Sequence, residues 1–219
     1  VKTFIDKRVD GLIIVPCEGC GETMRYVSGL GIPSVLIDRD IDGVDAGRVM
    51  LDNIRAAEIA VERLYGRGYR KIAMISYDME LSNIRLREEG FRRAMERLGL
   101  AGEGLSIYYV SYTDIRKSSS DTVDRIDFNN TEAIVYATNS LAIEGLKALK
   151  HKMGESVMDN IGIVAFDGSD AFDLCPSHIS YISQPITDFV EKSIEMITHR
   201  LETGTETTET VMLEPEFVK

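Results

Sequence analysis

The chain has 219 residues, with 25 Lys and Arg against 36 Asp and Glu, for a net charge of −11 at pH 7. That balance excludes broad contact with nucleic acid or an anionic membrane, both of which need a positive face. With 44% hydrophobic and 28% charged residues the composition is that of a globular protein, and no apolar run approaches the roughly 20 residues of a membrane-spanning helix. The opening Val1-Lys2-Thr3-Phe4-Ile5-Asp6-Lys7 lacks an uninterrupted apolar core, so no signal peptide is expected. Three cysteines do not make a disulfide framework and fit a reducing cytoplasm.

Residues 1–8 read as the tail of a helix, with Val1, Phe4 and Ile5 on one face. Leu12-Ile13-Ile14-Val15, stopped by Pro16, has the pattern of a buried parallel strand. Ser34-Val35-Leu36-Ile37-Asp38 repeats it, and Met24, Val27 and Leu30 between the two suit an amphipathic helix. After a loop, Asp52 or Asn53 can cap a helix over 54–65, which runs into Gly66 and Gly68. A strand over 71–76 follows, then a helix over 83–98 with Ile84, Phe91, Met95 and Leu98 on one stripe. Strands are expected at 106–110, 132–137 and 161–166, and helices in the second half of 112–127 and over 140–150. Tyr181-Ile182-Ser183 is a short strand before Gln184-Pro185. Beyond it Ile186, Phe189, Val190, Ile194, Ile197 and Leu201 fall at helical spacing, and 210–213 is a last strand-like piece. Strands alternating with helices predict an α/β protein with parallel sheets.

Signatures of catalysis are absent. Gly66-Arg67-Gly68 follows a helix and precedes a strand, the reverse of a dinucleotide fingerprint, and there is neither a phosphate loop nor a nucleophile elbow. His151, His178 and His199 are scattered. Cys17-Glu18-Gly19-Cys20 is a CxxC sequence in a strand-end loop, but structural zinc needs four ligands and only Cys175 remains. Two small residues in a glycine-rich turn is the stronger reading. No metal, cofactor or enzymatic activity is expected.

The informative polar residues sit where strands end. In open α/β sheets ligands bind beyond the carboxyl ends of the strands, and those ends carry Asp38, Asn139 and Asp167. Asn83, Arg85 and Arg87 open the helix after the 71–76 strand, and Gln184 lies in the crossover before the last long helix. Carboxylates, amides and guanidinium groups suit vicinal hydroxyls or purine edges, since each offers paired donors or acceptors in a plane. Any one alone reads equally as a cap or a turn residue. Their shared position is what suggests a binding cleft.

The series Val9-Asp10-Gly11-Leu12-Ile13-Ile14, Ile32-Pro33-Ser34-Val35-Leu36-Ile37-Asp38 and Asp52-Asn53 resembles the effector-binding core of the LacI/GalR family of bacterial transcription regulators. So do Leu64-x-x-x-Gly68-Tyr69-Arg70-Lys71-Ile72-Ala73, Arg87-x-x-Gly90-Phe91, Ala137-Thr138-Asn139, Ile163-Val164-Ala165-Phe166-Asp167 and Ile182-Ser183-Gln184-Pro185. The resemblance implies a periplasmic-binding-protein-like α/β fold: two parallel-sheet subdomains with a ligand cleft. The first would comprise 1–49 plus 186–213, and the second 50–185 plus 214–219. It further implies that Asp38, Asn83, Arg87, Asn139, Asp167 and Gln184 contact a small effector, whether a sugar, a sugar derivative or a nucleobase. Arg87 would grip ring hydroxyls or a carboxylate, and Asp167 would accept from hydroxyls. Arg85 becomes the weaker arginine. Tyr112 and Phe172 are candidates for the aromatic wall, and either suits the core equally.

Two departures thin the acceptors near that site: Ser140 stands where the family usually has Asp, and Gly168 where it has a second Asp or Asn. Family members also begin with a basic helix-turn-helix and a hinge, then two βα units before the position of Val1. The expectation is therefore a fragment of a homodimeric regulator. Its first subdomain would be incomplete, with exposed sheet edges, and its operator contacts would lie in a missing N-terminal segment. A sugar-binding protein of an ABC uptake system shares the fold and is the alternative. Such a protein would need a secretion signal, and the Asp52-Asn53 and 83–91 patterns favour the regulator.

Overall fold

Ile72–Tyr77, Ala133–Tyr136 and Gly162–Phe166 are buried at every position, which a strand achieves only when both faces of its sheet are covered. The computed structural model describes residues 1–101, 106–154, 156–175, 178–204 and 208–219. In chain order its elements begin with α1 (Lys2–Asp6), β1 (Leu12–Ile14), α2 (Gly21–Gly29), β2 (Ser34–Ile37), β3 (Gly47–Leu51) and α3 (Asn53–Gly66). Next come β4 (Ile72–Tyr77), α4 (Ser82–Arg97), β5 (Ile107–Val110), a 3-10 turn at Tyr112–Asp114, α5 (Ile115–Arg125), β6 (Ala133–Tyr136) and α6 (Asn139–Met153). The rest are α7 (Val157–Asn160), β7 (Gly162–Phe166), a 3-10 turn at Asp170–Leu174, β8 (Ser180–Ser183), α8 (Ile186–Thr203), β9 (Thr210–Leu213) and β10 (Glu216–Val218).

These elements form two compact units. One comprises Val1–Asp52, Glu80–Asn83 and Pro185–Glu214; the other comprises Asn53–Met79, Ile84–Gln184 and Pro215–Lys219.

The first unit holds a sheet in the order β1-β2-β3-β9, parallel throughout the described residues. Alternation sends Leu36 and Met50 toward Met24 of α2, in a cluster with Val44 and Ala46. Val35 and Gly47 face the other way, where a Cβ on Gly47 would meet the Met196 sulfur of α8. The absent side chain lets α8 lie close to the sheet.

Several expectations change here. β1 forms as an edge strand of the described sheet, and Ile13, with Val15 just past the strand end, is exposed rather than buried. Leu30 falls beyond the end of α2 and is exposed. The stretch read as a loop before Asp52 contains β3, which joins β2 to β9. Of the six apolar positions at helical spacing on α8, only Phe189 and Ile197 are buried; Ile186, Val190, Ile194 and Leu201 stay exposed.

The second unit holds a sheet in the order β10-β8-β7-β6-β4-β5, in which β10 alone among the described strands runs antiparallel. β10 has no counterpart in the sequence reading, because three residues give too little alternation to stand out. The buried stripe of α3 is built on Ala56, Ala57, Ala60, Val61 and Leu64, small enough for close packing on β6, β7 and β8. Ile84, Phe91 and Met95 of α4 are buried as the stripe predicts; complete burial of Phe91 contributes about 2–3 kcal/mol. Gly90 lets α4 cross α3, since a Cβ there would lie 2.8 Å from the Ile54 Cα. The Thr138 side chain accepts from the Leu141 N–H and starts α6. Every strand of this sheet from β4 to β8 ends on the same edge, and there the chain gathers its polar residues.

Candidate functional site

β7 delivers its chain end to Asp167, whose φ of 66° is left-handed, a region that costs a non-glycine residue of order 1 kcal/mol. The conformation persists because both ends are tied. Its N–H donates to the Ile182 carbonyl at 2.9 Å, and its carboxylate accepts from Gln184 Nε2 at 2.6 Å. Beside it Asn139 opens α6 and donates through Nδ2 to the Gly168 carbonyl at 3.3 Å. Ser140 Oγ donates to Asn139 Oδ1 at 3.3 Å. The structure thus brings Asn139, Asp167 and Gln184 together within the second unit, along with Ser140. Gly168 has a local reason: a Cβ there would lie 2.8 Å from the Tyr181 ring.

Arg87 is 1% exposed. Burying a guanidinium is tolerable only with its donors satisfied, and here Nε donates to Asn53 Oδ1 and Nη1 to the Ala137 carbonyl, each at 2.7 Å. The Phe166 ring lies 4.2 Å from the guanidinium carbon, in cation–π range. Arg87 therefore ties α3 and α4 to the carboxyl ends of β6 and β7. Asn53, read in the sequence as a cap, supplies the acceptor. Arg85 is exposed.

Of the two aromatic candidates, Phe172 is buried and packs 6.3 Å from the Tyr181 ring. Tyr112 is 63% exposed. It stands edge-on to Tyr77 with ring centroids 5.4 Å apart. Tyr77 was missed by sequence reasoning, although it is the last residue of β4 and so belongs to the same strand-end edge. Burial pushes its hydroxyl pKa up, while hydrogen bonds to the Thr138 and Ser140 side chains pull the other way.

The first unit repeats the device. Asp38 follows β2 with φ 64°, and its N–H donates to the Val49 carbonyl at 3.1 Å. Its carboxylate accepts from Asn83 Nδ2 at 2.8 Å, with Arg39 Nε 3.5 Å away. Asp40 N–H donates to Ser82 Oγ at 2.8 Å, so both Ser82 and Asn83 are bonded within this unit. Among the described residues only Arg8, Asp38 and Asp167 are non-glycines with positive φ; two of the three are the carboxylates singled out at strand ends.

Cavities elsewhere do not involve these residues. One of about 410 Å³ lies along α5 and α6 between Arg116, Ser120, Glu144, Lys147, Ala148 and His151. Another, of about 330 Å³, lies between α8 and β9. Among the described residues no three His, Cys, Asp or Glu side chains converge on a possible metal position, and no helix is long and apolar enough to cross a membrane.

A family model for the periplasmic binding protein-like domain matches residues 61–219. The ribose operon repressor of Escherichia coli (strain K12) is 24% identical over 216 residues, which cover 92% of this chain and 61% of the repressor. Among solved structures, a putative ribose operon repressor from Burkholderia thailandensis superposes with a TM-score of 0.84 at 26% identity, over 99% of this chain and 80% of that one. A LacI family transcriptional regulator from Enterococcus faecium with bound ribose gives a TM-score of 0.82 at 20% identity, again over 99% and 80%. The chain spans about three-fifths of the length of the curated relatives it matches.

Proposed function

Since the chain belongs to the periplasmic binding protein-like domain family, with LacI-type repressors among its homologues, we propose that it is the effector-sensing part of a transcription regulator. Its ligand is a small sugar-like molecule, and it acts by binding rather than by catalysis. The observation that carries this is the repeated pair: a left-handed, strand-end aspartate holding a carboxamide, once in each unit.

Each oxygen of a carboxylate has two lone pairs, so Asp167 and Asp38 can accept from ligand hydroxyls while keeping their amide partners. Asn139 and Gln184 add donors and acceptors, and the exposed Tyr112 ring offers a face for the C–H side of a sugar or for a base. Arg87, buried and bonded to Asn53 and Ala137, sets the position of this edge. Backbone strain persists where the surrounding structure over-determines it, and such positions cluster at ligand sites. In the full-length regulator, which we take to be a cytoplasmic homodimer with a helix-turn-helix outside these residues, the ligand acts through its differential affinity for two arrangements of the protein.

Calorimetry with ribose, other pentoses and hexoses, sugar phosphates and nucleobases tests the reading. The best ligand should lose about tenfold or more in affinity with Asp167→Asn, the scale of a hydrogen bond to a charged group, and a smaller factor with Tyr112→Ala. Unchanged affinity in both variants would sink the site assignment.

A further inference from the structure

The CxxC sequence is not absorbed by that function, and its geometry is specific. Cys20 N–H donates to the Cys17 carbonyl at 3.3 Å, closing a four-residue turn in which Gly19 takes φ 73°. A β-turn keeps its first and last Cα atoms within about 7 Å, the range a disulfide spans. Cys17 is exposed, whereas Cys20, at the N-cap of α2, is half-buried against the Met24–Leu36 cluster. Burial, with a contribution from the neighbouring Cys17 thiol, pushes the Cys20 pKa up, and the exposed Cys17 is the more accessible of the two to an attacking partner. No third ligand among the described residues makes the pair a metal site.

The turn is also joined to Asp38 by two routes within the first unit. The Pro16 carbonyl accepts from Arg39 Nη1 at 2.9 Å, and Arg39 pairs with Asp38. Glu18 Oε1 accepts from the Glu80 N–H at 3.4 Å, and Glu80 opens the short segment that ends in Asn83, the amide partner of Asp38.

We propose that Cys17 and Cys20 form a redox-active dithiol that closes to a disulfide by exchange with low-molecular-weight disulfides and so alters the setting of Asp38. The Cys17 thiolate attacks one sulfur of the small disulfide, giving a mixed disulfide and releasing one thiolate. Cys20 loses its proton and attacks the Cys17 sulfur, forming the Cys17–Cys20 bond and releasing the second thiolate. The two protons lost by the protein end on the two small thiols. Two protein thiols are oxidised and one disulfide is reduced, with no further electron acceptor. Closing the ring fixes the Pro16 and Glu18 positions to which Arg39 and Glu80 are bound. The dithiol chemistry stands on the first unit alone; its effect on ligand affinity rests on the function proposed above.

The test equilibrates the Cys175→Ser chain with mixtures of reduced and oxidised glutathione, followed by intact mass and peptide mapping. The expected product has lost two hydrogens, carries a Cys17–Cys20 link and returns to the dithiol with excess reduced glutathione, while Cys20→Ser stops at a glutathione adduct on Cys17. If the parent also stops at that adduct, or keeps both thiols, the dithiol is overturned. Amide NMR signals of Arg39 and Glu80 are expected to shift on oxidation, and unmoved signals overturn the link to Asp38. Ribose affinity is then expected to differ at least threefold between the two forms. If oxidation leaves that affinity unchanged while Asp38→Asn lowers it, the redox coupling falls and the ligand site stands. If Asp38→Asn is also silent, it is the site assignment that fails.

Discussion

The two aspartates share a backbone conformation but not a foundation. Asp167 ends a strand buried on both faces, and the chain ends around it are tied by Arg87 to helices α3 and α4. Asp38 ends a strand in a smaller sheet that stops at an exposed edge, and its carboxylate is held by Asn83 and Arg39. The same polar device has thus been set once on a closely packed platform and once on lighter scaffolding. A ligand contact at the end of a sheet covered on both faces is positioned at low entropic cost on binding, whereas one at the end of a smaller sheet with an exposed edge is less firmly held. On the function proposed above, the Asp167 contact is expected to contribute more affinity than the Asp38 contact.

The largest effect expected from that contrast is on the platform itself. Gly90→Ala would drive a methyl into the Ile54 backbone, which cannot move aside as a side-chain tip can. It should cost about 3 kcal/mol, read as a lowered urea midpoint, and a loss below 1 kcal/mol would mean that α3 and α4 are not the rigid support described. Next come the paired substitutions Asp167→Asn and Asp38→Asn, both compatible with a left-handed backbone. The first should weaken ligand binding by about 2 kcal/mol and the second by about 1; calorimetry giving the reverse order would invert the comparison.

Tyr136→Phe comes third. The Tyr136 hydroxyl is buried with no hydrogen-bond partner among the described residues, beneath Gly145, where a Cβ would lie 2.6 Å from it. Removing an unpartnered buried polar group should stabilise the second unit by up to about 1 kcal/mol and leave ligand affinity unchanged. A destabilised variant would show that the hydroxyl has a partner in solution.

The smallest effect lies where β4 and β6 begin, at the edge opposite Asp167. The Glu132 carboxylate accepts from the Arg70 and Lys71 N–H groups at 2.8 and 3.2 Å, and these hold its pKa below the usual range. A folded pKa below the unfolded one contributes stability that is present above about pH 4.3 and lost as pH falls through the lower folded value. The stability difference between the parent and Glu132→Gln should accordingly shrink over that acidic window in denaturant titrations, and binding at neutral pH should not change. A difference that grows with acid would mean the opposite sign of shift.

Much of this was legible from residue order. Apolar runs punctuated by Pro, Gly and Asp locate most of the strands, and the rule that ligands gather at carboxyl ends makes Asp38, Asn139 and Asp167 candidates. The unread parts depend on neighbours that sequence does not supply. Gly47-Arg48-Val49-Met50-Leu51 mixes a glycine and an arginine into a short run, and becomes β3 because β2 and β9 lie on either side. Arg87 gave no sign that Asn53 and Ala137 would take its donors, because those partners are 34 and 50 residues away along the chain. Tyr77 could have been found by applying the strand-end rule to aromatic residues as well as polar ones. The exposed flank of α8 was misread because helical spacing reports an apolar stripe and not how wide a surface exists to cover it.

Gly168 bears on how such a protein can change. A Cβ at 168 would lie 2.8 Å from the Tyr181 ring, so a mutation installing an acidic side chain there requires that ring to shift or position 181 to become smaller. Shrinking Tyr181 first removes the ring that packs against Phe172, a loss with nothing gained until the second change arrives. Substitutions at the two positions are therefore expected to couple rather than add. The route through a smaller residue at 181 passes an intermediate that is less stable, and it is open to chains with stability in reserve.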